Sequence, residues 1–395
     1  MTPAKMSLER TKKLRALAKL MNKQNIRYVP ITNKLLECFD IAITPEENDF
    51  LLRMGTEPRT YEETATLSEL SEEEFRPFFE NQLRKGLISP QDTEPGEKRY
   101  ALSPIFVGWF ETYLCDGAET PEKEAFAKCV EDYFQSFKKF NFFPLRNLEN
   151  LQLRLTSKPL QTIAAIKEPH KPEASTRIQV DRSVAVPPTQ GYTSGSVYEL
   201  IEKYGNQNQI ALVHCFCRQW HRMTDDPCRF DFPAESCMAI GDLTNYIVDY
   251  GIGRYITKDK ALEMLQNLEK KGAIHQVFHD KEDINQPEIA ICNCCWDCCG
   301  VLGSYNRGII PLHFKSYYYA EKPDESLCTG CGACEKHCPV NAISVDDGTS
   351  IINEQKCIGC GQCAFQCPED AIRLVYKERE VFLPVQRLSD ARIKA

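Results

Sequence analysis

Residues 328–345 read CTGCGACEKHCPVNAISV, and residues 357–375 read CIGCGQCAFQCPEDAIRLV. Each stretch carries four cysteines spaced C-x2-C-x2-C-x3-C with a proline next. The first set is Cys328, Cys331, Cys334 and Cys338 before Pro339; the second is Cys357, Cys360, Cys363 and Cys367 before Pro368. Two intervening residues turn the chain enough to bring successive sulfurs to one side. In this spacing the fourth cysteine leaves its own loop and ligates the other of two 4Fe–4S clusters. Cys328, Cys331, Cys334 and Cys367 are therefore expected to hold one cluster, and Cys357, Cys360, Cys363 and Cys338 a second. The two stretches form an internal duplication, which suits a pseudo-symmetric pair of clusters. Gly330, Gly332, Gly359 and Gly361 permit the backbone angles of a tight wrap around them.

Working outward, 17 of the 20 cysteines fall between Cys215 and Cys367. Upstream of the repeat the pattern is less regular. Val213 to Arg218 reads VHCFCR after an apolar Ile210-Ala211-Leu212 run, so Cys215 and Cys217 are expected to point together from a strand. With Cys228 and Cys237 they make four thiols for a third cluster, and Arg218, Arg222 and Arg229 lie close enough in sequence to stabilise an anion. A structural zinc site is the alternative for this set. Residues 291–300 read ICNCCWDCCG and concentrate Cys292, Cys294, Cys295, Cys298 and Cys299, one more thiol than a cubane needs. This group is expected to bind metal, a fourth cluster being one form, without the spacing choosing its ligands. Trp296 is expected to shield it from water. His275 and His279 are candidate ligands or proton donors, with ordinary structural roles as the commoner alternative. His214 and His337 adjoin cluster cysteines and are expected to tune hydrogen bonding there.

The N-terminal third is helical in pattern. Leu14, Leu17, Ala18 and Met21 recur at helical spacing over residues 8–23. Thr44-Pro45-Glu46-Glu47 and Ser71-Glu72-Glu73-Glu74 are capping boxes. A helix is expected over Tyr61 to Leu70, and another from Ser71 to Lys85-Gly86 with Pro77 inside it. Leu87-Ile88 and Arg99 to Leu102 predict a β-ribbon around Pro95-Gly96. Helices followed by a ribbon form a winged-helix-like arrangement. Its third helix would present Glu72, Glu73 and Glu74 to DNA phosphates, which disfavours nucleic acid as a partner. Residues 119–146 predict one more helix and residues 167–195 a linker. Cys38, Cys115 and Cys129 read as buried small hydrophobes.

Net charge is −8, hydrophobic content 42% and charged content 26%, ordinary for a soluble globular protein. No stretch approaches the ~20 apolar residues that span a bilayer, and the first 25 residues are charged rather than leader-like. Clustered cysteines without an export signal predict metal ligands in a cytoplasmic, anaerobic setting. No G-x-G-x-x-G or G-x-x-x-x-G-K-[ST] motif appears, so no nucleotide site is indicated.

The chain resembles a family of anaerobic 4Fe–4S ferredoxin-type binding proteins. The resemblance rests on Cys215-Phe216-Cys217-Arg218, on Ile291 to Cys295 and on the C-terminal pair of cysteine runs; some relatives carry a further cysteine where this chain has Asp297. It implies an α+β chain in five parts. These are a winged-helix-like domain (1–115), a helix and linker (116–195), a central α/β cysteine-rich domain (196–320), a ferredoxin-like domain with two 4Fe–4S clusters (321–380) and a tail (381–395). The expected function is low-potential electron relay to or from a partner redox enzyme or larger oxidoreductase complex, with two 4Fe–4S clusters rising to three or four. The alternatives are an oxidoreductase with a substrate-binding central cluster, and a redox-sensing DNA-binding regulator.

Overall fold

The computed structural model describes residues 6–25, 29–91, 97–138, 145–165, 197–205, 209–280 and 284–393. The chain begins with five helices: α1 Leu8–Gln24, α2 Asn33–Ala42, α3 Pro45–Met54, α4 Tyr61–Ala65 and α5 Glu72–Arg84. The face expected for the first helix is the one buried, since Leu14, Leu17, Ala18 and Met21 are fully enclosed. Both capping boxes form as expected. Helix α4 stops at Ala65, short of Leu70, because Thr66 and Ser68 turn their hydroxyls back onto the carbonyls of Glu63 and Ala65. Such local side-chain bonds compete with helix continuation. Helix α5 runs through Pro77 and ends before Gly86, whose φ of +74° suits a residue without Cβ. A ribbon of β1 Ile88–Gln91 and β2 Arg99–Leu102 follows, and the Pro95-Gly96 turn lies outside the described residues. Helices α6 Phe110–Cys115 and α7 Pro121–Ser136 close this region. Cys38 on α2 and Cys129 on α7 are not isolated, as their sulfurs lie 3.0 Å apart.

Glu47 ties these helices together. It is 3% exposed and accepts hydrogen bonds from Lys85 at 3.0 Å, from Asn81 and Gln82 at 3.1 Å, and from the Thr44 amide at 2.8 Å. Replacing it by alanine strands the half-buried Lys85 ammonium and two amide donors. We expect Glu47→Ala to cost about 3 kcal/mol of stability. Denaturant titration followed by helix circular dichroism checks this, and a cost within about 0.5 kcal/mol would refute it.

The rest of the molecule is organised by one eight-stranded sheet. Its strands are β3 Leu160–Ile163, β4 Ile210–His214, β5 Glu235–Ile240, β6 Gly253–Tyr255, β7 Ile274–His279, β8 Glu288–Cys294 and β9 Leu312–Ala320. After a separate hairpin of β10 Ile343–Asp346 and β11 Thr349–Ile352, β12 Leu374–Leu383 returns to the sheet. The order is β12-β9-β3-β7-β8-β5-β4-β6, antiparallel throughout except for β3 beside β9. Two assignments differ from the sequence reading. Strand β3 belongs to the sheet interior although it falls in the expected helix-and-linker segment, and β12 runs past residue 380 into the expected tail. Residues 166–196, which include the expected linker, lie outside the described residues.

The sheet places the cysteines. The 321–373 segment leaves from β9 and returns by β12, so it is held to the sheet at both ends. Helix Lys258–Lys270, capped by Thr257, buries Ala261 and Leu265 against the sheet core and Leu268 beside Cys295 and Cys298. The N-terminal helices pack on the other end of this core. Tyr246 donates to the Leu83 carbonyl at 2.6 Å, Gln219 donates to the Gly117 carbonyl at 3.2 Å, and Phe134 stacks on Trp220 with centroids 4.9 Å apart.

Candidate metal centres

The repeat folds into two matching cradles. One cavity is lined by Cys328, Cys331, Cys334 and Cys367, and the other by Cys338, Cys357, Cys360 and Cys363. The fourth cysteine of each run thus lines the cavity of the other run. The duplication extends to backbone angles. Gly332 and Gly361 both have φ of +77°, and Asn341 and Asp370 have φ of +51° and +48°. The last pair turns the amides of Ala342 and Ala371 onto the sulfurs of Cys338 and Cys367, at 3.1 and 3.3 Å. Gly330 and Gly359 sit where a Cβ would strike the backbone of Gly348 and of Tyr318, at 2.4 and 2.1 Å. The cavities differ in setting: Cys331 is exposed, whereas Cys360 and Cys363 are buried and burial raises both thiols. Four convergent sulfurs, amide donors to them and glycine walls fit a cubane in each cavity.

The central cysteines group differently from the sequence expectation. Cys215 and Cys217 do not alternate along a strand: β4 ends at His214, Cys215 caps helix Phe216–Arg222, and Cys217 lies in its first turn. Their thiols still meet. Cys215 contacts Cys217 and Cys237; Cys217 contacts Cys299; Cys299 contacts Cys294; Cys294 contacts Cys292; and Cys292 closes a ring of six with Cys237. The six buried thiols lie close enough to shift one another's titration. The amide of Gly300 also donates to Cys217 at 3.1 Å, and those of Val301 and Leu302 donate to Cys299 at 3.4 Å.

Cys228 departs from its expected partners. It joins Cys295 and Cys298 in a compact group whose sulfurs all lie within 4.8 Å of one another. Cys292 and Cys294 share one face of β8, whereas Cys295 lies just past the end of the strand, where the chain turns away. The dense motif is thereby divided, with Cys292, Cys294 and Cys299 in the ring and Cys295 and Cys298 in the trio. Arg218 lies between the two groups. It is 6% exposed, and burial works against its charge, but Cys215, Cys298, Cys237 and Cys295 together hold its guanidinium protonated. Nη1 donates to the Pro233 carbonyl and to Ser236, while Nε and Nη2 have no hydrogen-bond partner among the described residues. Among the other arginines singled out, Arg229 pairs with Asp297 and Arg222 with Glu119.

The histidines are held by hydrogen bonds and by packing. His275 is fully buried between Asn293, at 2.6 Å, and Glu269, at 3.2 Å. His279 bonds Gln161 at 2.7 Å and the Gln286 carbonyl at 2.8 Å. His214 packs on Gly117, and His337 packs on Gly272. Among the described residues no histidine joins a compact metal-ligand group. Trp296 is half-buried, covered by Arg392 at 3.8 Å and by Phe230 at 5.2 Å. Nothing in the cysteine spacing marks Cys115 as a neighbour of the ring, yet its half-buried thiol is raised by desolvation and also by the nearby Cys215 and Cys292.

Comparison with known proteins agrees with the cradle geometry. Residues 321–379 match the model of the 4Fe-4S dicluster domain. Two proteins named Ferredoxin-1, both from Rhodobacter capsulatus, are each 53% identical over 34 residues, or 9% of this chain and 52% of the relative. The chain spans about half the length of the curated relatives it matches. No solved structure matches it. The C-terminal region therefore carries a 4Fe–4S dicluster ferredoxin domain within a mixed α+β chain. Among the described residues no helix is long and apolar enough to cross a membrane.

Proposed function

We propose that the chain is a multi-cluster electron-transfer protein, in which the ferredoxin pair exchanges low-potential electrons with a further cluster held in the six-cysteine ring. The observation that carries this reading is a shared apolar core. Cys338, Cys360 and Cys363 of the ferredoxin domain and Cys294 and Cys299 of the ring belong to one hydrophobic cluster together with Leu302, Tyr305 and Phe314. A dry, packed path of this kind suits electron transfer and keeps water from the buried centres. Six thiols gather there, and no three of them lie within 4.8 Å of one another, a wider spacing than three thiolates on a single ion would take. When bound, the clusters supply one-electron chemistry; the residues position them, donate amide hydrogen bonds to their thiolates and place Arg218 as a counter-charge.

The N-terminal helices and ribbon, winged-helix-like in order, cover the ring side through Gly117, Phe134 and Leu83 and would dock the redox partner. Glu72, Glu73 and Glu74 stand exposed at the start of α5, which opposes phosphate binding and weighs against the regulator reading. The relay predicts magnetic communication. Upon anaerobic reductive titration, the paramagnetic signals of the ferredoxin pair should be broadened by a third reduced centre, and Cys294→Ser should abolish that broadening while leaving the pair intact. Iron confined to the ferredoxin domain, or a pair insensitive to Cys294→Ser, would reject the relay.

A further inference from the structure

The trio of Cys228, Cys295 and Cys298 differs from every other cysteine group here. In each ferredoxin cavity the four thiols are separate, with no thiol–thiol hydrogen bond among the described residues. In the ring no three sulfurs lie within 4.8 Å of one another. In the trio all three sulfurs lie within 4.8 Å of one another, with Cys228 and Cys295 3.5 Å apart and Cys295 and Cys298 3.3 Å apart. Sulfurs around one tetrahedral ion with metal–sulfur bonds of about 2.3 Å stand about 3.8 Å apart. Sulfurs on the corners of a cubane stand much further apart, because the cluster itself lies between them. The trio therefore has the spacing of a single ion and lacks room for four irons.

We propose that Cys228, Cys295 and Cys298 bind one thiophilic divalent cation, zinc or ferrous iron, through three thiolates, and leave its fourth position to a small exogenous ligand such as water or an inorganic anion. Three further observations support the site. The sulfurs are oriented by amides, with Cys298 N–H donating to Cys295 at 3.2 Å and Phe230 N–H to Cys228 at 3.5 Å. Cys295 and Cys298 are 0% and 1% exposed and lie in an apolar pocket with Phe232, Leu268 and Ala273, while Cys228 is half-buried at its rim. The rim is the side from which a fourth ligand can enter. Among the described residues no fourth cysteine, histidine or carboxylate completes the group.

Charge supports the same assignment. A divalent ion with three thiolates carries one net negative charge, and Arg218 supplies one positive charge beside it. Its guanidinium stacks on Phe232 at 5.0 Å, and the unpartnered Nε and Nη2 are donors for an anion in the fourth position. Asp297, between the two trio cysteines of the dense motif, takes no part in ligation; it is engaged by Arg229 and Arg307. An open fourth position on a thiolate-bound ion is the arrangement that distinguishes reactive from structural zinc sites.

The site is not needed for the relay, so the two proposals fail on separate measurements. The test is metal analysis of the anaerobically purified full-length chain enriched in 57Fe, combining elemental analysis for zinc with Mössbauer spectroscopy for iron outside clusters. We expect about one equivalent of zinc plus high-spin ferrous iron in the wild type. The Cys228→Ser, Cys298→Ser double variant should lose it entirely while retaining its cluster iron. Loss of about four irons together with sulfide in that variant would overturn the proposal, because it would identify a cubane. Retention of the single ion would overturn it as well. Should the variant not fold, the wild type still decides: less than half an equivalent of non-cluster metal refutes the site. Where the ion is found, X-ray absorption at its edge should show three sulfurs and one lighter ligand, and azide should change the latter in the wild type far more than in Arg218→Gln. Four sulfurs, or no response to azide in either protein, would refute the open position.

Discussion

Replacing Cys367 by serine is expected to remove the cluster of the first cysteine run, not that of the second, together with about four irons. Cys367 follows Cys363 in sequence, but it lines the cavity of Cys328, Cys331 and Cys334. The Ala371 amide aims at its sulfur, just as the Ala342 amide aims at Cys338 in the other cavity. Cys367→Ser and Cys328→Ser should therefore leave the same residual cluster, and Cys363→Ser the opposite one. The two residual clusters are distinguishable by potential. Burial penalises the more highly charged reduced form, so the second cavity, where Cys360 and Cys363 are enclosed, should hold the lower-potential cluster. A redox titration of the three variants followed by paramagnetic resonance gives the comparison. If Cys367→Ser titrated like Cys363→Ser, the crossed ligand sets would be wrong.

The crossing was legible in the sequence because it is carried by a short repeat whose geometry is local. The same holds for the capping boxes at Thr44 and Ser71 and for the buried stripe of Leu14, Leu17, Ala18 and Met21. Each depends on residues within one or two turns of one another. The central centres were legible only as a set of nine thiols. Their partition depends on where β8 ends and the chain turns, and on where β4 gives way to a helix. Neither is fixed by cysteine spacing. Cys215 and Cys217 do converge, but at a helix start rather than along a strand. Cys228 lies nine residues from Cys237 in sequence but belongs with Cys295 and Cys298, across the sheet.

Strand β3 shows a different limit. Leu160–Ile163 is only four residues long and follows a helix, so its pattern was too brief to announce a strand. Its place is set by β7 and β9 on either side, both distant in sequence. The Cys38–Cys129 contact has the same character, since two ordinary core positions become neighbours only when α2 and α7 pack. Arg218 was visible as a cation beside a cysteine motif, and the structure adds that it faces two groups rather than one.

Asp297→Ala is expected to be among the most destabilising single substitutions in the central region, at about 3–5 kcal/mol. Asp297 is 1% exposed and joins the Cys228 segment to the Cys295–Cys298 turn. It accepts from the Arg229 amide at 2.7 Å and from the Arg229 side chain, which fixes the residue next to Cys228. It also pairs with Arg307, itself 6% exposed, at 3.5 Å, and Arg307 in turn donates to the Asp297 carbonyl and to Asp226 at 2.8 Å. Alanine would leave a buried guanidinium with only the half-exposed Asp226 as counter-charge, and would free the Cys228 loop from the Cys295–Cys298 turn. Asparagine keeps an acceptor for the Arg229 amide and should cost less, about 1–3 kcal/mol. Anaerobic denaturant titration ranks the three proteins, and metal analysis of the folded variants locates the damage. Asp297→Ala should release the trio's ion before it affects the ring, because the carboxylate holds the Cys228 side and touches no ring sulfur. A cost below about 1 kcal/mol would place Asp297 with ordinary exposed ion pairs and remove the argument that it positions Cys228.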